Sequence, residues 1–209
     1  MEIEIVKPFG PSIVKIKLPD QIIDAMNEFT DGVIDDEIKS NALNYGDKLV
    51  GNVKQEIKLD IEFMKQIKWV EFLGKVSQIW IAKELGKKLN KFQILNSWIV
   101  RQFKNEYNPI HWHSGHLSGA GFLKVPNNLG SFIQKKDAKD YPGGMLELIH
   151  GSKAFLSDAK FRIKPEIGDF YFFPNYLMHT VYPFKDTKEE RRSISFNAKI
   201  DEEIYNDFS

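Results

Sequence analysis

The sequence predicts an α+β fold in which N-terminal helices cover one face of a curved sheet. Three observations predict it. Between Leu59 and Leu89, the residues Phe63, Ile67, Val70, Leu73, Val76 and Trp80 recur at intervals of three or four, the spacing of a helix with one buried stripe. Beyond Phe92 that spacing gives way to short apolar runs separated by turn residues: FQILNSWIV, LSGAGFLKVP, GGMLELI, FRIKP, FYFFP, HTVYPF and RRSISFNAKI. Seven such runs read as a β-sandwich or barrel. Finally, 209 residues with no linker-like stretch and no internal repeat suit one domain, with helical support over about residues 19–90 and a strand core over about 92–200.

Taken in order, Ile3 to Leu18 mixes apolar and basic residues around Pro8, Gly10 and Pro11, the pattern of one or two strands joined by a turn. After Pro19, Asp20 is placed to cap a helix carrying Ile22, Ile23, Met26 and Phe29, which Asp31-Gly32 ends. Asp35 to Lys58 is polar and reads mostly as loop. One helix follows from Leu59 to Leu89, with a kink at Gly74 and its end near Gly86.

Composition narrows the function. With 42% hydrophobic and 13% aromatic residues the chain has the apolar surface that ordering requires, so global disorder is excluded. Its 29 Lys and Arg balance 29 Asp and Glu, which leaves no overall field to draw in nucleic acid or an anionic membrane. Zero cysteines remove disulfides, thiolate metal sites and cysteine nucleophiles together, so any metal must be held by His, Asp or Glu. The start shows no secretory pattern and no apolar run reaches the roughly 18 residues of a membrane helix, so a soluble, cytoplasmic protein is expected.

All five histidines lie in the second half. In NPIHWHSGHLSG, His111 and His113 are two apart, so on a strand both imidazoles project from one face. Two imidazoles on one face form half of a metal site, and His179, after FYFFP, can supply a third. A lone histidine there is more often a packed, hydrogen-bonded residue. In RRSISF a strand would set Arg191, Ser193 and Ser195 on one face, with a guanidinium and a hydroxyl together, a pairing suited to a carboxylate. The plainer alternative is a solvated charged turn formed by Glu189, Glu190, Arg191 and Arg192.

The order HWHSGHLSG, GDFYFFP, HTVYP and RRSISFN, with Arg191-x-Ser193 placed 12 residues after His179, resembles the Fe(II)- and 2-oxoglutarate-dependent oxygenases. It is most similar to a group of small members common in phage and marine bacterial genomes, and the resemblance covers Asn96 to Lys199. It implies a double-stranded β-helix, or jelly roll, with flanking helices. It also implies Fe(II) on His111 and His179, 2-oxoglutarate anchored by Arg191 and Ser193, and O2 as the oxidant, with succinate and CO2 as coproducts.

His113 stands where most members have Asp or Glu, and no acidic residue lies between Pro109 and Val125. Three arrangements stay open: a three-histidine site, a two-histidine site completed by water, and a carboxylate from elsewhere such as Glu147. His113 is favoured because a strand already puts it on the correct face. His116 reads as a loop residue or substrate contact, and His150 as a turn residue. Trp98, Phe122 and Phe170 read as core, and Asn96 and Asn197 as inward polar residues. Two rival functions remain, a cupin-like metal enzyme that makes no use of Arg191 and a catalytically silent jelly-roll binding module. The substrate, small-molecule or peptidyl, would be chosen by the loops Asn127–Tyr141 and Gly151–Lys160, and a homodimer stays open.

Overall fold

The computed structural model describes residues 3–6, 10–130 and 141–207. Strands β1 (Glu4–Val6) and β2 (Ile13–Lys17) pair antiparallel, as the sequence leads one to expect. Helix α1 (Asp20–Ile34) follows Pro19, whose fixed φ of −60° suits the residue before a first turn. Asp20 therefore lies inside that turn and does not cap it, and the helix runs past Gly32. Ile22, Ile23, Met26, Thr30 and Val33 form its buried face.

The polar stretch after α1 is more structured than its composition suggests. It forms α2 (Glu37–Ala42), a 3-10 turn at Gly46–Lys48 and strand β3 (Gln55–Lys58). The Asp36 side chain caps α2 by accepting the Lys39 backbone N–H at 3.0 Å. These elements are too short for a periodicity to register.

The expected long helix is two. Asp60 accepts the Phe63 N–H at 2.8 Å to start α3 (Ile61–Gln66), and the chain turns at Lys68 (φ 60°) into α4 (Trp69–Leu85). The three-and-four spacing runs across that break because both helices bury residues against the same sheet. Helix α4 passes unbroken through Gly74, which lies against the Phe92 ring, and it ends at Gly86 (φ 65°) in the left-handed conformation glycine tolerates.

Strands β4 (Phe92–Gln102), β5 (Asn108–His111), β6 (Leu117–Lys124), β7 (Leu146–Ile149), β8 (Lys160–Ile163), β9 (Asp169–Pro174), β10 (Met178–Val181) and β11 (Arg191–Ile200) follow, then the short helix α5 (Glu202–Tyr205). They form two antiparallel sheets, a larger one ordered β1-β2-β9-β6-β11-β4-β3 and a smaller one ordered β5-β10-β7-β8. The inner faces meet around Ile13, Phe122, Leu146, Leu148, Tyr171 and Phe173. This is the jelly roll. The outer face of the larger sheet carries the helices, through a core that includes Met26, Trp69, Leu73, Val76, Phe170 and Phe196. Burying each such side chain contributes about 1.5–3 kcal/mol. Trp69 satisfies its buried indole by donating Nε1–H to Ser97 Oγ at 3.1 Å.

Gly119 of β6 is covered closely by residues of β9 and β11. A methyl group there would stand 2.6 Å from Phe196 Cε1, 2.7 Å from Phe170 Cε1 and 2.8 Å from the Tyr171 carbonyl oxygen. Neither ring can retreat, because each is packed on the other and on Phe172. Gly119→Ala is therefore expected to destabilise the fold by about 1–3 kcal/mol, read as a lower melting temperature. An unchanged melting temperature would show that this layer has slack.

Alternation along β11 divides two adjacent arginines. Ile194, Phe196 and Ala198 face the helices together with Arg192, whereas Arg191 and Ser193 face the barrel interior. Arg192 is fully buried and paired, donating to Asp31 Oδ1 at 2.6 Å and Glu190 Oε1 at 2.7 Å, and to Asn27. It ties α1 to the sheet. The solvated charged turn considered for this stretch does not form, since both arginines are buried. Among the described residues no helix is long and apolar enough to cross a membrane.

Candidate metal centre and its pocket

His111 ends β5 and His179 lies on β10, directly opposite it in the antiparallel register. His113 is two residues beyond the end of β5, so the strand-face argument does not hold it in place. Its backbone does. The His113 N–H donates to the Asn175 carbonyl at 3.0 Å, and Asn175 Nδ2 donates back to the His113 carbonyl at 3.1 Å. The three imidazoles converge, with one ring nitrogen from each lying within 4.8 Å of the others, and no carboxylate joins them among the described residues.

Local hydrogen bonds decide which nitrogen faces inward. His111 Nδ1 lies 2.7 Å from the Pro109 carbonyl and His179 Nδ1 lies 2.9 Å from the Leu177 carbonyl. A carbonyl only accepts, so both Nδ1 atoms carry the proton and both Nε2 atoms present lone pairs. Burial lowers the pKa of all three rings, and neighbouring imidazoles add to this for His179 and for His113, which falls to about 3. Neutral imidazoles are the form that binds a metal.

This arrangement fits a cation. His113 Nε2 and His179 Nε2 are 3.1 Å apart. That is close enough for a single ion to take one nitrogen from each ring. Phe173, 5.0 Å from His179, and Trp98, 5.5 Å from His113, wall the site. Trp98 is thus a pocket residue as well as a core one.

Glu147 is not a ligand. It is fully buried on β7, but its carboxylate is paired with Lys160 at 3.1 Å and with Arg162, on the strand face opposite Leu146 and Leu148. His116 is not a substrate contact. It stacks on Tyr205 with ring centroids 3.9 Å apart, and its Nδ1 accepts the Ile200 N–H at 3.1 Å, which fastens α5 to β11. The His150 backbone N–H donates to Ala159 at the end of β7, outside the pocket. Asn197 accepts from Ser118 Oγ at 2.7 Å, and neither it nor Asn96 lines the pocket. Phe170 is core, as expected. Of the two loops expected to choose substrate, residues 131–140 lie outside the described residues, and Gly151–Lys160 does not line the pocket.

The same cavity, about 130 Å³, is lined by the three histidines, Arg191, Ser193 and Ser195. Arg191 is 2% exposed. It donates Nε–H to the Gly144 carbonyl at 2.9 Å and Nη1–H to Gln102 Oε1 at 3.2 Å and Ser193 Oγ at 3.3 Å, with Phe122 5.1 Å beneath it. Burial lowers its pKa to about 10, so the guanidinium stays charged at neutral pH. Among the described residues it has no carboxylate partner and Nη2 makes no hydrogen bond, in contrast to Arg192 beside it. An unpaired buried cation is unfavourable by several kcal/mol, and an anion arriving in the pocket would remove that penalty.

Sequence reading misses Gln102, Glu56 and Asn108. Gln102 sits across from Arg191 in the β4–β11 register, on the inward face shared by Trp98 and Val100, and the two-residue alternation of FQILNSWIVRQ carries that signal. Glu56 belongs to the strand taken as loop. Burial raises its pKa from 4.5 to about 7. A carboxyl whose folded pKa is raised binds a proton more tightly folded than unfolded, so stability falls as pH rises through that window. The metal-free protein is expected to lose stability between pH 4.5 and about 7, and Glu56→Gln to flatten that slope in a melting series. Parallel curves would contradict the assignment.

Fold and site define a jelly-roll protein with a three-imidazole pocket beside a buried arginine that has no carboxylate partner among the described residues. Residues 96–197 match the family described as "Putative 2OG-Fe(II) oxygenase", and this jelly-roll segment belongs to the 2OG-Fe(II) oxygenase family. No curated protein matches the sequence. Among solved structures, a prolyl-4-hydroxylase from Pseudomonas putida is 16% identical with a TM-score of 0.58, the match covering 90% of this chain and 92% of that one. The viral collagen prolyl hydroxylase of Paramecium Bursaria Chlorella virus-1 is 15% identical with a TM-score of 0.53, covering 89% and 94%. A Trichoplax adhaerens prolyl hydroxylase is 11% identical with a TM-score of 0.55, covering 94% and 87%. These likenesses carry the fold.

Proposed function

We propose that the protein is an Fe(II)- and 2-oxoglutarate-dependent dioxygenase, a hydroxylase acting on a small-molecule or peptidyl substrate. One observation carries the reading: a buried guanidinium with no carboxylate partner among the described residues shares a cavity with three neutral imidazoles. His111, His113 and His179 would hold the metal, and Arg191 with Ser193 would take the far carboxylate of 2-oxoglutarate. The chemistry supplied when Fe(II), 2-oxoglutarate and O2 are bound is oxidative decarboxylation to succinate and CO2, coupled to oxidation of the substrate.

The chain's own residues do the positioning. Gln102 and the Gly144 carbonyl aim the guanidinium, the Pro109 and Leu177 carbonyls hold the imidazole tautomers, and Trp98 and Phe173 wall the pocket against water. No side-chain acid or base is required. We read the chain as one domain, which the entry of β1, β2 and β3 into the sheet bearing Arg191 supports. A cytoplasmic location fits the zero cysteines.

Anaerobic titration with Fe(II) and 2-oxoglutarate tests the proposal. A visible charge-transfer band that needs both additions is expected. Stoichiometric metal without the band would favour the cupin-like enzyme, and no metal binding would leave a binding module.

A further inference from the structure

The cavity has a second polar end that neither the histidines nor Arg191 uses. Strand β3 pairs with β4 at the edge of the larger sheet, Glu56 opposite Val100, and turns the Glu56 side chain into the pocket. Three carboxylates among the described residues are fully buried. Glu147 is paired with Lys160 and Arg162, and Asp169 with Lys15 and Lys17. The Glu56 carboxylate, on a residue 2% exposed, accepts no hydrogen bond and meets no cation among the described residues.

Beside it lies Asn108, whose side-chain Oδ1 is shut off from solvent and accepts no hydrogen bond among the described residues. Both groups reach one point. A Cβ built on Gly51 would stand 2.9 Å from Glu56 Oε1 and 2.8 Å from Asn108 Oδ1, so the two acceptors converge beside the Gly51 backbone, where no side chain separates them. Trp98 and the 66% exposed Trp112 supply aromatic walls to the same cavity. Two unsatisfied acceptors, one of them a carboxylate, beside indole faces complement a positively charged group that carries several N–H donors.

We infer that Glu56 and Asn108 form a substrate subsite for a cationic nitrogen, an ammonium or guanidinium carried by the molecule to be oxidised. The inference rests on the dioxygenase reading for what happens to that molecule, but the recognition itself does not. Arg191 and Glu56 would then sort two charges in one cavity, the anionic cosubstrate to one and the cationic substrate to the other.

The test uses the protein loaded anaerobically with Fe(II) and 2-oxoglutarate, titrated with n-butylguanidinium and with n-butylurea, a neutral molecule of the same shape, by ligand-observed NMR. The guanidinium is expected to bind at least about tenfold tighter. Glu56→Gln should erase that preference while leaving the charge-transfer band intact. Gly51→Ala, which keeps the carboxylate but adds a methyl that crowds both acceptor oxygens apart, should weaken the guanidinium alone. Equal binding of the two probes to the wild type, or a preference that survives in Glu56→Gln, would overturn the subsite. If the band never forms the dioxygenase reading falls, and the same pair of probes on the metal-free protein still decides the subsite.

Discussion

Arg191→Met is expected to weaken 2-oxoglutarate binding by about 30-fold or more while leaving metal binding within a few-fold of wild type. Losing one partner of a buried, hydrogen-bonded charge pair costs about 2–5 kcal/mol, and each 1.4 kcal/mol is tenfold. The change should leave the fold intact, because Met matches much of the side chain's length over Phe122 and the buried charge it removes has no carboxylate partner among the described residues. Arg192→Met on the same strand is the contrast. It breaks the link to Asp31 and Glu190, so it should lower the melting temperature and leave the affinity for 2-oxoglutarate nearly unchanged. The two variants read against each other in one calorimetric series. If Arg191→Met binds 2-oxoglutarate as wild type does, the guanidinium is structural and the dioxygenase proposal loses its main support.

The second large effect belongs to the histidines. His179→Ala should lower Fe(II) affinity by at least about 100-fold, beyond the 10–100-fold typical of losing a mere support to a ligand. The residue is almost fully buried and its ring lies against both other imidazoles, so no nearby group can take its place. His116→Ala is the control that separates metal loss from general damage. It removes the stack on Tyr205 and should loosen the C-terminal helix without touching metal affinity. Equilibrium dialysis of the metal reports both. Equal affinity in His179→Ala would mean that the triad is a packed cluster and no cation site.

How much of this was legible depends on the residue. Along β11 the alternation of RRSISFNAKI foretells which arginine faces inward, because side chains on a strand alternate and apolar Ile194 and Phe196 must take the helix face. His111 and His179 are legible for the same reason. His113 is reached for a different reason from the one its spacing suggests, since the strand stops at His111 and a two-way backbone pairing with Asn175 carries the ring into place. Glu56 was illegible. Its strand stands in a polar stretch and is four residues long with one apolar residue, Ile57, which gives no period to read. The break at Lys68 was hidden by two helices sharing one buried surface, where continuity of the apolar pattern reflects the sheet beneath and says nothing of the backbone.

His111 and His179 belong to the smaller sheet, whereas Arg191 and Ser193 belong to the larger one. A keto acid held at one end through a metal and at the other by the guanidinium would therefore be a strut between the two sheets. Loading the site should stiffen the sandwich as a whole. Amide hydrogens on β10 and on β11 would slow their exchange together, and the rigid body presented to the substrate would be assembled by the cosubstrate that precedes it.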